Sequence, residues 1–181
     1  MSSPPPAEIE TERLLLRRPL LDDAETIFAT YASDPEVAKY LTWRAHTSVE
    51  DSRAFLTHCQ EIWGGGDSRP YVIAARTEPD RALGMIEWRR RGHAVSFGYV
   101  LAPAFWGRGY TSEALATLVD WSLARPTIWR CWAFCDVDNV ASARVMEKAG
   151  MAFEGVLRRL SVHPNLSAEP RDCRVYARVR D

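Results

Sequence analysis

One stretch constrains this chain more than any other: Tyr99 to Glu113, YVLAPAFWGRGYTSE. The run Val95 to Leu101 predicts a strand, and a turn punctuated by Gly107 and Gly109 follows it. An amphipathic run then begins at Thr111, with Ala114, Leu115, Leu118, Val119 and Ser122 on a helical period. Glycine has no Cβ, so the backbone there can bend freely and lie close to a ligand. The first amides of a helix have no intrahelical partner, and the helix dipole favours negative charge at that end. With Arg108 between the two glycines, the turn reads as a cradle for a pyrophosphate. Taken alone, the glycine pair serves a plain strand-to-helix turn equally well. Two commoner phosphate loops are excluded, because position 112 is Ser where Gly-x-Gly-x-x-Gly needs a glycine, and no Gly-Lys-Ser/Thr follows.

Around this stretch the pattern alternates strands and helices. Leu14, Leu15 and Leu16 predict a first strand over Arg13 to Arg18, ended by Pro19. Asp22 and Asp23 predict the start of a helix through Ala32, and Asp34-Pro35-Glu36 a short second one reaching Leu41. Thr47-x-x-Glu50 reads as a capping box for a helix that Gly64-Gly65-Gly66 stops after Trp63. Strands are expected at Tyr71 to Arg76, Leu83 to Arg90 and Val95 to Leu101. After the glycine turn come a helix, a strand over Ile128 to Phe134, and a helix over Val140 to Lys148 capped by Asn139 or Asp138. Strands over Phe153 to Leu160 and Cys173 to Val179 finish the chain, joined by a turn-rich loop over Val162 to Arg171. The expectation is an α/β (α+β) domain over residues 9–181, preceded by a frayed tail over residues 1–8.

Composition narrows the function classes. With 181 residues, 46% hydrophobic and 26% charged, the chain fits one soluble domain with a sizeable core. A net charge of −1 gives no global field for nucleic acid or an anionic membrane. Arg89-Arg90-Arg91 reads as a solvated hairpin end. No apolar run approaches the roughly 20 residues of a membrane span, and Met1-Ser2-Ser3-Pro4-Pro5-Pro6 lacks the features of a secretory signal. Cys59, Cys131, Cys135 and Cys173 form no Cys-x-x-Cys pair and the four histidines are scattered, so no metal site is expected. Free thiols in a reducing cytoplasm are the expectation.

Four segments, in order, carry a family resemblance. Ala104 to Leu115, AFWGRGYTSEAL, resembles the acyl-coenzyme A (acyl-CoA) signature of the GNAT acetyltransferases, and most closely that of the RimJ/RimL-like branch, which acetylates ribosomal-protein N-termini. Asp138 to Met151 is similar to that family's second conserved stretch, an Asn-x-x-Ser helix closed by Glu-Lys-x-Gly. Glu12 to Arg17 resembles its opening strand, and Gly155 to Arg159 with Asp172 to Tyr176 its closing ones.

The resemblance implies a GNAT fold: a mixed, mostly antiparallel, twisted sheet of seven strands flanked by about four helices. Its parallel strands 4 and 5, here Val95 to Leu101 and Ile128 to Phe134, would splay around acetyl-CoA. Val100 and Leu101 would pair with the pantetheine arm, and the amides of Gly107, Arg108, Gly109, Tyr110 and Thr111, beside Trp106, would hold the pyrophosphate. Asn139 and Ser142 would meet the pantetheine or phosphates, with a plain N-cap as the equal alternative for Asn139.

The implied reaction is direct attack of a primary amine on the thioester in a ternary complex, with an N–H donor near Val100 stabilising the oxyanion. The acceptor would be a protein N-terminus or a small amine. Glu87 or a chain of waters is the candidate base, with a strand carboxylate paired to an arginine as the alternative reading of Glu87, while Tyr99, Ser142 or water alone are the candidates for the acid. Three positions depart from the family pattern: Ala104 replaces a Gln or Arg, Ser96 an acidic residue, and Met146 lies near the place of a tyrosine acid. They motivate an alternative, a non-catalytic acyl-CoA sensor or interaction protein. A monomer or homodimer, without nucleic-acid or membrane partners, completes the expectation.

Overall fold

The computed structural model describes residues 4–180. Their strands form one sheet of eight, in the order β1-β2-β3-β4-β5-β6-β8-β7. The strands are β1 Glu8–Glu10, β2 Leu14–Arg17, β3 Ser68–Ala75, β4 Gly84–Arg91, β5 Ala94–Leu101, β6 Arg130–Asp136, β7 Ala152–Val162 and β8 Pro170–Val179. Every neighbouring pair is antiparallel except β5 and β6.

The eighth strand is β1, where Glu8, Ile9 and Glu10 pair with Arg17, Leu16 and Leu15. Three residues with acidic flanks carry no readable alternation, so the strand is legible only through its partner. Part of the expected tail is therefore held: Glu8 is in the sheet, and the Tyr71 hydroxyl donates to the Pro6 carbonyl at 2.6 Å. Residues 1–3 of that tail lie outside the described residues.

The helices among the described residues are α1 Ala24–Ile27, α2 Pro35–Ala38, α3 Val49–Trp63, α4 Tyr110–Leu123 and α5 Val140–Lys148. The single helix expected from Asp22 to Ala32 is instead a 3-10 turn over Leu21–Asp23, then α1, then a π turn over Phe28–Ala32. Local hydrogen bonds account for the break. The Asp23 carboxylate accepts from the Leu20 amide at 2.8 Å and from both Arg17 terminal nitrogens, at 2.9 and 2.6 Å. The Ser33 hydroxyl donates to the Phe28 carbonyl at 2.8 Å, in competition with the helical ladder. The capping box of α3 sits one residue later than expected. Ser48 accepts from the Asp51 amide at 3.4 Å, and the Asp51 carboxylate accepts from the Ser48 amide at 3.1 Å.

Period-two alternation divides the core between the two sheet faces. Leu14, Leu16, Ile73, Ile86, Trp88 and Phe97 pack with Leu115, Leu118 and Met146 of α4 and α5. Val72, Ala74 and Met85, from the intervening positions, pack with Ile27, Tyr31 and Leu56 of the α1–α3 region. Trp88 buries its indole and donates to the Ser122 hydroxyl at 2.9 Å, so its one polar atom is satisfied.

The sheet forks at its parallel pair. β5 and β6 are joined only at Ala94–Arg130, Val95–Cys131 and Ser96–Trp132. Beyond Ser96, β5 stays with β4 as far as Leu101–Gly84, while β6 stays with β8 as far as Asp136–Cys173. Gly84 permits a tight approach here. A Cβ at that position would lie 2.3 Å from the Val100 carbonyl oxygen and 2.9 Å from the Leu101 Cα.

Candidate active site

A cleft of about 820 Å³ opens at the fork, between the free length of β5, the glycine turn, the end of β6 and the start of α5. Gly107 and Gly109 both hold positive φ, 75° and 78°, and Gly109 is the residue immediately before α4. The six amides from Gly107 to Ser112 have no hydrogen-bond partner among the described residues; the first to find one is Glu113, which donates to the Gly109 carbonyl at 3.0 Å. The turn therefore presents a row of free donors at a helix N-terminus, the arrangement that binds phosphate oxygens. The Arg108 guanidinium lies over the Phe105 ring, 5.4 Å from its centroid, at the edge of that row.

A strut fixes the turn from outside. Arg13 donates to the Arg108 carbonyl at 2.9 Å and reaches Glu113 through Nε at 2.7 Å and Nη2 at 2.6 Å. Thr11 also donates to the Glu113 carboxylate. Burial opposes ionisation of Glu113, but the hydrogen bonds from Thr11 and Arg13 outweigh it and hold the carboxyl below its ordinary range. Reading from sequence missed Arg13 and Glu113 as a pair, because they are 100 residues apart.

The remaining predicted residues distribute as follows. Trp106, half exposed, donates its indole N–H to the Leu101 carbonyl at 2.7 Å and so ties the turn back to β5. The Tyr99 hydroxyl meets the Ser142 hydroxyl at 2.8 Å and donates to the Ser142 carbonyl at 3.2 Å, which brings β5 and α5 together across the cleft. Burial pushes the Tyr99 phenol well above its ordinary value, against the pull of the Ser142 hydrogen bond, so it remains a proton donor. Asn139 is the N-cap of α5, its side chain accepting from the Ser142 amide at 3.1 Å, and both residues line the cleft. Val100 and Leu101 line it as well. Met146 is fully buried, on the core face of α5.

Glu87 is on the cleft wall and is also held by neighbours. Its carboxylate accepts from the Ser68 hydroxyl at 2.6 Å and from Arg89 at 3.1 Å. Cys135 faces the cleft, but burial pushes its thiol up to about 11, which leaves it a poor nucleophile at neutral pH.

Two residues of the 163–169 loop carry more than the sequence suggested. The Asn165 amide donates to the Ala38 carbonyl at 2.8 Å and the Trp43 carbonyl at 2.7 Å, and its oxygen accepts from the Ala45 amide at 3.2 Å. It clasps the loop to the end of α2 and to the segment that follows, which includes the cleft-lining Trp43. His163 lines the same cleft, buried, with Nε2 3.8 Å from Asp136 and Nδ1 without a partner among the described residues. No local motif marks either residue.

A mixed sheet forked at its parallel pair, with a row of free amides at the fork, is the arrangement that comparison with known proteins assigns to a class, the acetyltransferases. The model of the acetyltransferase (GNAT) domain matches residues 13–152. An uncharacterised N-acetyltransferase of Bacillus licheniformis, p20, is 31% identical over 153 residues, covering 82% of this chain and 84% of the relative. A GNAT-family acetyltransferase from Bacillus anthracis superposes with a TM-score of 0.81 at 29% identity, over 95% of this chain and 98% of that one. RimL, a ribosomal L7/L12 α-N-protein acetyltransferase solved with coenzyme A, superposes at 0.82 with 23% identity, over 96% and 98%. The chain belongs to the GNAT acetyltransferases and is an acyl-CoA-dependent N-acetyltransferase.

Proposed function

We propose that this protein moves an acetyl group from acetyl-CoA to a primary amine by direct attack in a ternary complex. The observation that carries this reading is the row of six partnerless amides from Gly107 to Ser112, facing the fork between β5 and β6. The amides of Gly107 to Thr111, with Arg108, hold the pyrophosphate. The cradle is made of backbone, so Ala104 at the first signature position leaves its donors intact. The pantetheine arm lies along Val100 and Leu101, beside Asn139 and Ser142. The acceptor enters past Trp43 and His163, which line the cleft where the Asn165 clasp holds the loop. Likeness to RimL favours a protein N-terminal α-amine, and the fold alone does not choose between that and a small amine.

In the reaction the amine nitrogen bonds to the thioester carbonyl carbon and the C–S bond breaks. Glu87 takes the amine proton, directly or through water, and Tyr99, held by Ser142, supplies a proton to the departing sulfur. The test is release of free coenzyme A, followed by thiol titration, with a panel of amines and N-terminal peptides. Thiol release that depends on an amine is the expected result. Tight acetyl-CoA binding without release for any acceptor would replace this reading with that of a sensor.

A further inference from the structure

A second pocket, of about 130 Å³, lies on the α1–α3 side of β5. It shares Trp43, Phe55, Met85 and Val100 with the main cleft, and none of its walls comes from β6, α4 or α5. The glycine turn and α5 therefore contribute nothing to this pocket, which is built from the α1–α3 side of β5. Ile27, Trp43, Phe55 and the His46 ring make most of its lining apolar or aromatic. Tyr31, 2% exposed, also lines it, and the Tyr31 hydroxyl has no hydrogen-bond partner among the described residues. A buried hydroxyl left unpaired is costly, so an occupant that pairs it recovers that cost.

We propose that this pocket receives the side chain of the amine acceptor, and that it selects a single uncharged ring bearing one hydrogen-bonding atom for the Tyr31 hydroxyl. The assignment rests on the acetyl-transfer reading above. Size is compatible: an enclosed apolar cavity of about 150 Å³ accommodates benzene, and this pocket of about 130 Å³ adjoins the main cleft through four shared residues, so a ring need not be fully enclosed. Charge supports it too. Burial lowers the His46 pKa, against the pull of Asp51, and Nδ1 of that ring is engaged with the Ser52 hydroxyl at 2.7 Å, so His46 is neutral at neutral pH. Burial, reinforced by Asp23, keeps Tyr31 a protonated phenol. With no formal charge in its walls, the pocket penalises an ammonium or carboxylate tip.

The experiment compares kcat/KM for tyrosinamide, phenylalaninamide, lysinamide and aspartic acid α-amide, with acetyl-CoA affinity measured alongside. Tyrosinamide should exceed phenylalaninamide by about tenfold, the worth of one well-made hydrogen bond, and both should exceed the charged pair. Tyr31→Phe removes only the partnerless hydroxyl and should collapse the tyrosinamide-to-phenylalaninamide ratio toward one without changing the acetyl-CoA Kd. Ala32→Leu, which narrows the pocket, should raise KM for both ring acceptors. Equal rates for all four amides, or a ratio that survives Tyr31→Phe, would overturn the assignment while leaving acetyl transfer intact. A shift in preference between acetyl-CoA and longer acyl-CoAs, with acceptor choice unchanged, would give the pocket to the acyl chain instead. Absence of transfer to any amine would remove the pocket assignment together with the reading it rests on.

Discussion

Gly84→Ala is the sharpest perturbation this structure offers, because it moves the end of β5 from a position outside the cleft lining. Gly84 sits on β4 opposite Leu101, and an added Cβ would be 2.3 Å from the Val100 carbonyl oxygen. Ordinary C···O contacts are about 3.3 Å or longer, so the end of β5 must retreat by roughly 1 Å. The obstructing atoms are backbone, so a side-chain rotation cannot absorb the clash. Overpacking of this kind costs about 1–3 kcal/mol of stability. The displaced residues are those assigned to the pantetheine arm. Loss of about one backbone hydrogen bond there, worth ~0.5–1.5 kcal/mol, weakens acetyl-CoA binding about two- to tenfold. The assays are urea unfolding and calorimetric titration of acetyl-CoA, with Gly92→Ala as the control. Gly92 holds φ +61° with nothing within 4 Å of the added Cβ, so its substitution costs about 1–2 kcal/mol of backbone strain and leaves acetyl-CoA affinity unchanged. Unchanged stability and affinity in Gly84→Ala, or equal loss of affinity in both variants, would refute the reasoning.

Other consequences are as direct. Tyr99→Phe removes the proton donor beside Ser142 and should lower kcat by about tenfold to a hundredfold at neutral pH with little change in acetyl-CoA affinity; rate constants from single-turnover thiol release check it. Asn165→Ala breaks the clasp to Ala38, Trp43 and Ala45, so the acceptor KM should rise severalfold while the acetyl-CoA Kd holds, as steady-state kinetics with each substrate varied will report. Glu113→Gln should cost about 1 kcal/mol at pH 7, a figure reduced for the exposure of Arg13. Because the Glu113 carboxyl is held below its ordinary range, that stabilisation is complete above about pH 4.3 and disappears as pH falls through the lowered value. Urea midpoints of wild type and variant should therefore converge as pH falls through the lowered value. Arg17→Met leaves Asp23 buried without its ion pair and should cost about 3–5 kcal/mol, measured by the same method.

Much of this was legible in the sequence, for identifiable reasons. The glycine turn, α4, α5 and β5 are written in local signals: Gly107 and Gly109 at positive φ, Asn139 at an N-cap, and apolar residues on a helical or strand period. The parallel pair was legible through the resemblance, and its fork begins just past Ser96. What escaped the reading is held by partners distant in sequence. β1 exists because β2 pairs with it, and the expected helix over 22–32 breaks where Arg17 claims Asp23 and Ser33 bonds back to Phe28. The Arg13–Glu113 strut, the Asn165 clasp and the clash hidden at Gly84 are likewise tertiary facts with no local signature. Glu87 is the arginine-paired strand carboxylate of one of its readings and lies on the cleft wall, while its part as base belongs to the proposed reaction.

The central claim is that the free amides of the glycine turn hold the phosphates of the acyl donor. Proton–nitrogen correlation spectra of the protein titrated with acetyl-CoA test it amide by amide. Gly107 to Ser112 should show the largest downfield amide shifts at saturation and gain protection from exchange, with smaller changes along Val100 and Leu101. Saturable binding that leaves Gly107 to Ser112 unmoved while another surface shifts would contradict it.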